Sequence, residues 1–222
     1  MSHAPHLLGR LLPGHGRSGH SHSAGSAEHG HGHDLGEDGF EGPAARRYDR
    51  WTGLLMRRPY RRIAADIAAG TPYGAHVLDV GAGPGHLLVQ LARQRPDLRL
   101  TGADVSPDMA EIASGHLAEF GDRARAVTAD VTDLPFPDGT FDLVVTSFSA
   151  HHWPDVAAGV AEIGRVLRPD GHLGVYDFQK GTFDETARAA ANTPTLAGRT
   201  ERRGRVPRMT PPLRRLIVRQ VF

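Results

Sequence analysis

The run Val77-Leu78-Asp79-Val80-Gly81-Ala82-Gly83-Pro84-Gly85-His86 constrains this chain more than any other segment. His76 to Val80 reads as a short buried strand. It passes directly into a glycine-rich turn, ahead of a helical pattern from Leu87 to Gln94. Glycine adopts positive φ without a steric penalty and lets the backbone approach a ligand with no β-carbon between. In open parallel sheets, ligands settle at the carboxyl ends of the strands, near the switch in strand order. The turn is therefore expected to lie against a nucleotide-like cofactor. The spacing is G-x-G-x-G, because the third glycine of the dinucleotide pattern falls on His86, and the lysine of a phosphate-binding P-loop is missing. Asp79, just before the turn, would repel a pyrophosphate. It suits an ammonium or sulfonium group.

Strand and helix signals alternate downstream. Leu98 to Ala103, Ala124 to Ala129, Phe141 to Ser147 and His172 to Phe178 read as strands. Ser106 offers an N-cap, with Pro107 at the first helical position and Asp108 in the first turn of a helix to about Phe120. Pro154 opens another helix to about Leu167, and Arg168-Pro169-Asp170-Gly171 reads as a turn. Such alternation implies parallel pairing through right-handed crossovers: an α/β, Rossmann-like open sheet, mostly parallel, with helices on both faces. Upstream, Tyr48, Trp51, Leu54 and Leu55 recur at helical spacing from about Ala44. Pro59 interrupts that pattern. A second helix, Tyr60 to Ala69, is expected to bury Ile63 and Ile67 before a stop at Gly70. Forty-four residues follow Phe178. In them Asp184 to Ala191 reads as a helix, and Thr193 to Arg208 is polar and broken. Leu213 to Phe222 reads as a last strand, with Leu216, Val218 and Gln220 on one face. A short or irregular C-terminal strand pair is expected.

With 222 residues the chain has room for one domain, over 44–222, and a tail. Residues 1–40 are rich in Gly, Ser and His, hold eight of the fourteen histidines, and are read as disordered. The alternating imidazoles of His29, His31 and His33 would suit weak Zn, Ni or Cu binding; the other reading is a tail that binds nothing specific. There is no cysteine, which excludes disulfides, thiolate metal sites and a cysteine nucleophile. No apolar run approaches the roughly 18 residues of a membrane span, and Met1 to Pro13 is too broken for a signal peptide, so a cytoplasmic protein is the default. The net charge of +1 implies no global field. Charge is nevertheless uneven. Residues 41–62 hold seven arginines against two acids, 63–179 sixteen acids against seven arginines, and 180–222 ten basic residues against three acids. Basic flanks fit either an anionic partner or a plain solvated surface.

The run D-V-G-A-G-P-G resembles motif I of the class I S-adenosylmethionine (SAM) dependent methyltransferases, and further segments match in order over about residues 46–180. These are Thr101-Gly102-Ala103-Asp104-Val105-Ser106, Ala129-Asp130-Val131 with Leu134-Pro135-Phe136, Phe141 to Val145 through His151-His152-Trp153, and Arg165 to Leu173. The likeness is nearest to small-molecule methyltransferases of the ubiquinone/menaquinone biosynthesis kind (methyltransferase type 11). It implies SAM as cofactor, with Asp104 on the ribose hydroxyls, Asp130 and Val131 at the adenine, and Asp79 at the methionine ammonium. It implies close approach at Gly81, Ala82, Gly83 and Gly85, and places Val105, Met109 and Ser147 beside the cofactor. Tyr48 falls where the family lays a helix over the methionine end, or else it is core.

The same resemblance implies methyl transfer to a small-molecule acceptor. Such transfer needs alignment more than acid–base machinery. A base matters only where the acceptor must lose a proton. His151 and His152 are the candidates, and packing is the alternative for them. The place where amino-base methyltransferases carry Asn/Asp-Pro-Pro-Tyr/Phe reads Thr146-Ser147-Phe148-Ser149, so nucleic acid is not the favoured acceptor. An RNA-modifying enzyme and a non-catalytic SAM-binding protein remain the rival readings.

Overall fold

The computed structural model describes residues 42–178, 183–209 and 217–222. The histidine-rich segment 1–40, read above as disordered and as a weak metal binder, lies outside the described residues, as does Leu216.

The chain runs α1 (Gly42–Leu55), α2 (Arg57–Gly70), β1 (His76–Val80), α3 (His86–Gln94), β2 (Arg99–Asp104), α4 (Pro107–Leu117), β3 (Ala124–Thr128), β4 (Phe141–Ser147), α5 (Val156–Val166), β5 (Leu167–Phe178), α6 (Phe183–Asn192), β6 (Arg202–Arg205) and β7 (Ile217–Val221). The strands form one seven-stranded sheet in the order β3-β2-β1-β4-β5-β7-β6. The first five are mutually parallel, and β7 runs antiparallel to both its neighbours. The order reverses at β1, which pairs with β2 on one side and β4 on the other, and the expected open sheet is thereby borne out. Helices cover both faces. Ile63, Ala64 and Ile67 of α2 pack with Leu87, Leu88 and Leu91 of α3 on one face. Val156, Val160 and Ile163 of α5 pack with Phe183 and Ala190 of α6 on the other.

Local chemistry accounts for the element boundaries. Ser106 caps α4 by accepting from the Met109 N–H at 3.3 Å, and Asp155 caps α5 by accepting from the Ala158 N–H at 2.9 Å. Pro59 does not delay the second helix, which starts at Arg57. Proline is tolerated in a first turn because an N–H there has no intrahelical partner to lose. The expected turn at Arg168 to Gly171 lies inside a bulged strand instead. Phe141 pairs with Leu167, and Leu143 with His172, so the intervening residues of β5 loop out of register.

The C-terminal strand pair is short, as expected, and complete. Arg202 to Arg205 crosses β7 from Val221 to Val218. The sequence concealed β6 because an edge strand needs no apolar face, and charged side chains there discourage edge-to-edge association. On β7, Ile217 and Gln220 are the fully buried residues, whereas Val218 is only half-buried. Among the described residues no helix is long and apolar enough to cross a membrane. The largest departure concerns α1. Its helical apolar pattern suggests burial, yet Trp51, Leu54 and Leu55 are 70%, 81% and 54% exposed.

Candidate active site

The loops after β1, β2 and β4 meet at the carboxyl edge beside the reversal of strand order. Asp79 sits on the central strand between Gly102 and Val145. Its side chain is fully buried, and neither carboxylate oxygen has a hydrogen-bond partner. Burial pushes the carboxyl well above the usual carboxylate range, and the neighbouring Asp104 adds to that shift. An uncompensated buried carboxyl is costly. A cationic ligand end would compensate it.

Gly81, Gly83 and Gly85 all adopt positive φ, at 68°, 52° and 77°. A β-carbon at Gly81 would overlap the Ser149 side chain, and one at Gly85 would crowd the Ala113 methyl at 3.1 Å. The N–H groups of Gly81 and Ala82 donate to the Ala103 carbonyl at 2.8 and 3.1 Å, fastening the loop to β2. Asp104 closes the same loop. Its Oδ2 accepts from the Gly83 N–H at 2.7 Å, and its Oδ1 from the Ser106 N–H at 3.0 Å. Burial raises the Asp104 carboxyl, and the two amide bonds partly offset this. Each carboxylate oxygen accepts about two hydrogen bonds, so Asp104 retains one position per oxygen for a pair of hydroxyls.

Tyr48 on α1 is half-buried; burial, and then Asp104, raise its phenol. Buried Tyr60 is raised by desolvation, then by Tyr48 and Asp79. Tyr48, Asp79 and Asp104 therefore share one neighbourhood, although they are far apart in the chain. Val105, which follows Asp104 in the chain, is 69% exposed. Met109 does not line open surface: at 1% exposure it is interior packing beneath α4. Asp130 is exposed, and its Oδ1 accepts from both the N–H and the hydroxyl of Thr132 at 2.8 Å, which holds its carboxyl below the usual range. Val131 is 8% exposed and packs toward Gly159 and Trp153. Ser147 ends β4, 6% exposed, opposite Tyr176.

Beyond β4 the two histidines differ in their surroundings. His151 Nδ1 lies 2.9 Å from both carboxylate oxygens of Asp177, which is 1% exposed near the end of β5. That contact fixes the ring proton on Nδ1 in the neutral tautomer and leaves Nε2 as an acceptor. The His152 ring is 4.0 Å from that of His151, and its pKa is lowered by burial and then by His151. Trp153 donates to the Ser149 hydroxyl at 3.1 Å and packs against the core, so it serves the scaffold. Asp177, Phe148 and Phe178 escaped the sequence reading. Phe148 takes φ 57°, a strained value for a side chain of its size, and meets Tyr60 edge-on and Phe178 at a tilt, with ring centroids 5.7 and 5.2 Å apart. The available signal for Asp177 was an acid inside an apolar strand, the feature that drew attention to Asp79.

The orphaned carboxylate, the glycine turn and the unfilled acceptor positions of Asp104 fit a cofactor with a cationic end and a ribose. Comparison with known proteins agrees. Residues 77–171 match the family model described as a methyltransferase domain. A demethylmenaquinone methyltransferase from Thermus thermophilus is 36% identical over 145 residues, 63% of this chain and 66% of that one. A TehB-like SAM-dependent methyltransferase from Corynebacterium glutamicum shares the fold, with a TM-score of 0.62 at 21% identity over 82% of this chain and 98% of that one. The [4+2]-cyclase SpnF is 32% identical, with a TM-score of 0.50 over 52% of this chain and 44% of that one. The chain spans less than two thirds of the length of the curated relatives it matches first. Residues 77–171 are thus similar to a methyltransferase domain, and the chain has the fold of the class I SAM-dependent methyltransferases.

Proposed function

We propose that this protein is a SAM-dependent methyltransferase acting on a small-molecule acceptor that loses a proton on methylation, with His151 as the proton acceptor. The single observation that carries the cofactor assignment is Asp79, buried with both carboxylate oxygens unpartnered at the foot of the glycine turn. Bound SAM would supply a methyl group on a sulfonium whose by-product is a neutral thioether. Asp79 would hold the ammonium, Asp104 the ribose diol, and the Gly81 to Gly85 turn the backbone approach between them. Asp130 and Val131 would flank the adenine, with Val105 covering it.

The protein's own contribution to the reaction is positioning and a base. Asp177 orients His151, whose Nε2 would take the acceptor's proton. The Phe178 ring, with its centroid 6.0 Å from that of His151, favours an acceptor with an apolar or ring portion. The C-terminal basic flank gives little support to an RNA substrate. Arg219 is paired with Asp66 at 2.5 Å, Arg203 with Asp184 at 2.6 Å, and Arg199 donates to backbone carbonyls, including that of Thr195 at 2.8 Å. Calorimetric titration with SAM and S-adenosylhomocysteine tests cofactor binding. A methyl-transfer screen over phenols, quinols, amines and tRNA then tests the acceptor. Binding with no turnover on any acceptor leaves a SAM-binding protein, and turnover on tRNA alone overturns the small-molecule assignment.

A further inference from the structure

α1 is fastened to the rest of the protein in an unusual way. It is a fourteen-residue helix with one buried residue, Ala45, and its large apolar side chains face solvent. Apolar burial therefore does little to hold it. Instead Asp49 projects between His86, the first residue of α3, and His116 in the last turn of α4. His86 Nε2 is 3.1 Å from Asp49 Oδ1, and His116 Nε2 is 3.6 Å from Asp49 Oδ2. The two imidazoles stack, with ring centroids 5.3 Å apart.

Donors and acceptors do not balance at this cluster. His116 Nδ1 is 2.8 Å from the Pro84 carbonyl, which can only accept. The neutral ring must carry its proton there, and Nε2 then presents a lone pair toward a carboxylate oxygen. His86 Nε2 has one N–H, and it reaches the Asp49 carbonyl at 3.1 Å. Asp49 Oδ1 is left buried with no hydrogen-bond partner. A lone pair on His116 Nε2 and an unpartnered carboxylate oxygen beside it are complementary to a cation, and His86 supplies a third ligand atom once its proton moves from Nε2 to Nδ1.

We propose that Asp49, His86 and His116 form a binding site for a divalent transition-metal ion of the zinc type, which clasps α1 to the N-terminus of α3 and the C-terminus of α4. Two neutral imidazoles and one carboxylate suit zinc. Around a tetrahedral zinc, ligand atoms at about 2.0–2.1 Å stand roughly 3.3 Å apart. The three ligand atoms here lie within 4.8 Å of one another, and among the described residues no other such group of three occurs. A cavity of about 370 Å³ adjoins the cluster, lined by Arg57, Gln90 and Glu119 with the two histidines. It gives room for water as a fourth ligand.

The test uses the full chain with His29, His31 and His33 changed to Ala, so that this cluster of the tail contributes nothing, and zinc chloride as the probe. Zinc is expected to bind saturably. At about 100 times its dissociation constant it should raise the melting temperature by roughly 5–10 °C. Asp49→Asn and His116→Gln should each weaken binding at least about tenfold. Cobalt chloride reads the unsubstituted site, so the test does not depend on those variants folding. Intense visible bands of a four- or five-coordinate ion support the proposal. It is overturned by a weak octahedral cobalt spectrum, by no zinc-dependent melting shift, or by a shift that survives both substitutions. Stability that depends on pH and not on zinc would make the cluster a protonated histidine–aspartate contact.

Discussion

Two aspartates are buried at the carboxyl edge of this sheet, one on the cofactor side and one on the acceptor side. Asp79 on β1 has no partner for either oxygen, whereas Asp177 on β5 meets His151 and also accepts from the Phe178 N–H at 2.8 Å. On the proposed reading the first is completed by a ligand, whereas the second is met by the protein itself. In the proposed site, cofactor recognition would rest on backbone shape and one unpartnered carboxyl, and acceptor recognition on side chains held in register by the pairing of β4 with β5. A change at Asp79 should therefore trade cofactor affinity against stability of the free protein. A change at Asp177 should act on turnover.

The largest expected effect tests the acceptor side. Asp177→Asn and His151→Ala should lower turnover at saturating SAM by about 10²–10⁴-fold, the usual worth of a general base, with S-adenosylhomocysteine affinity nearly unchanged. His152→Ala should do much less. If turnover per bound cofactor is preserved in both variants, Asp177 is structural and the contrast with Asp79 collapses.

Next in size is Gly81→Ala. Left-handed backbone costs a side chain about 1–2 kcal/mol, and overpacking against Ser149 adds roughly 1–3 kcal/mol. Denaturant unfolding should show both. Ser149→Gly in the same chain should recover the second part only; full recovery would mean that the positive φ carries no strain.

Asp104→Ala should weaken S-adenosylhomocysteine by about 30–150-fold, equivalent to roughly 2–3 kcal/mol for charge-assisted hydrogen bonds. Unchanged affinity by calorimetry would place the ribose elsewhere.

The smallest effect has the most distinctive sign. The Asp79 carboxyl is raised in the fold, so the free folded protein holds a proton that the unfolded chain releases. Stability of the free protein should fall as pH rises from the ordinary carboxylate range through the raised value. Cofactor affinity should rise over the same window, because the ammonium needs the ionised form, and binding should release a proton. Asp79→Asn should flatten both dependences, stabilise the free protein by about 1 kcal/mol at alkaline pH, roughly the scale of a pKa shift of one unit, and weaken the cofactor. Melting curves and calorimetry in buffers of different ionisation enthalpy measure these. A destabilised Asn variant at that pH would contradict the uncompensated carboxylate.

The contrast between the two sides also separates what could be read from the sequence from what could not. The strand–turn–helix unit from His76 to Gln94, the acids at the ends of β1 and β2, and the alternation that implies a parallel sheet were legible because their causes are local. Glycine spacing, capping residues and apolar period act over a few residues. The pairing of His151 with Asp177, and of Asp49 with His86 and His116, was not legible. These residues are 26, 37 and 67 positions apart, and only sheet register and helix packing bring them together. The edge strand β6 was hidden because its arginines answer to solvent and ion pairs, not to an apolar period. The exposure of Trp51 and Leu54 was hidden because periodicity shows which residues share a face and does not show whether anything covers it. Sequence alone thus determined the sheet and the cofactor loop, through local sterics and hydrophobic period. Tertiary structure alone decided which charges are compensated, because compensation depends on neighbours that only the folded chain supplies.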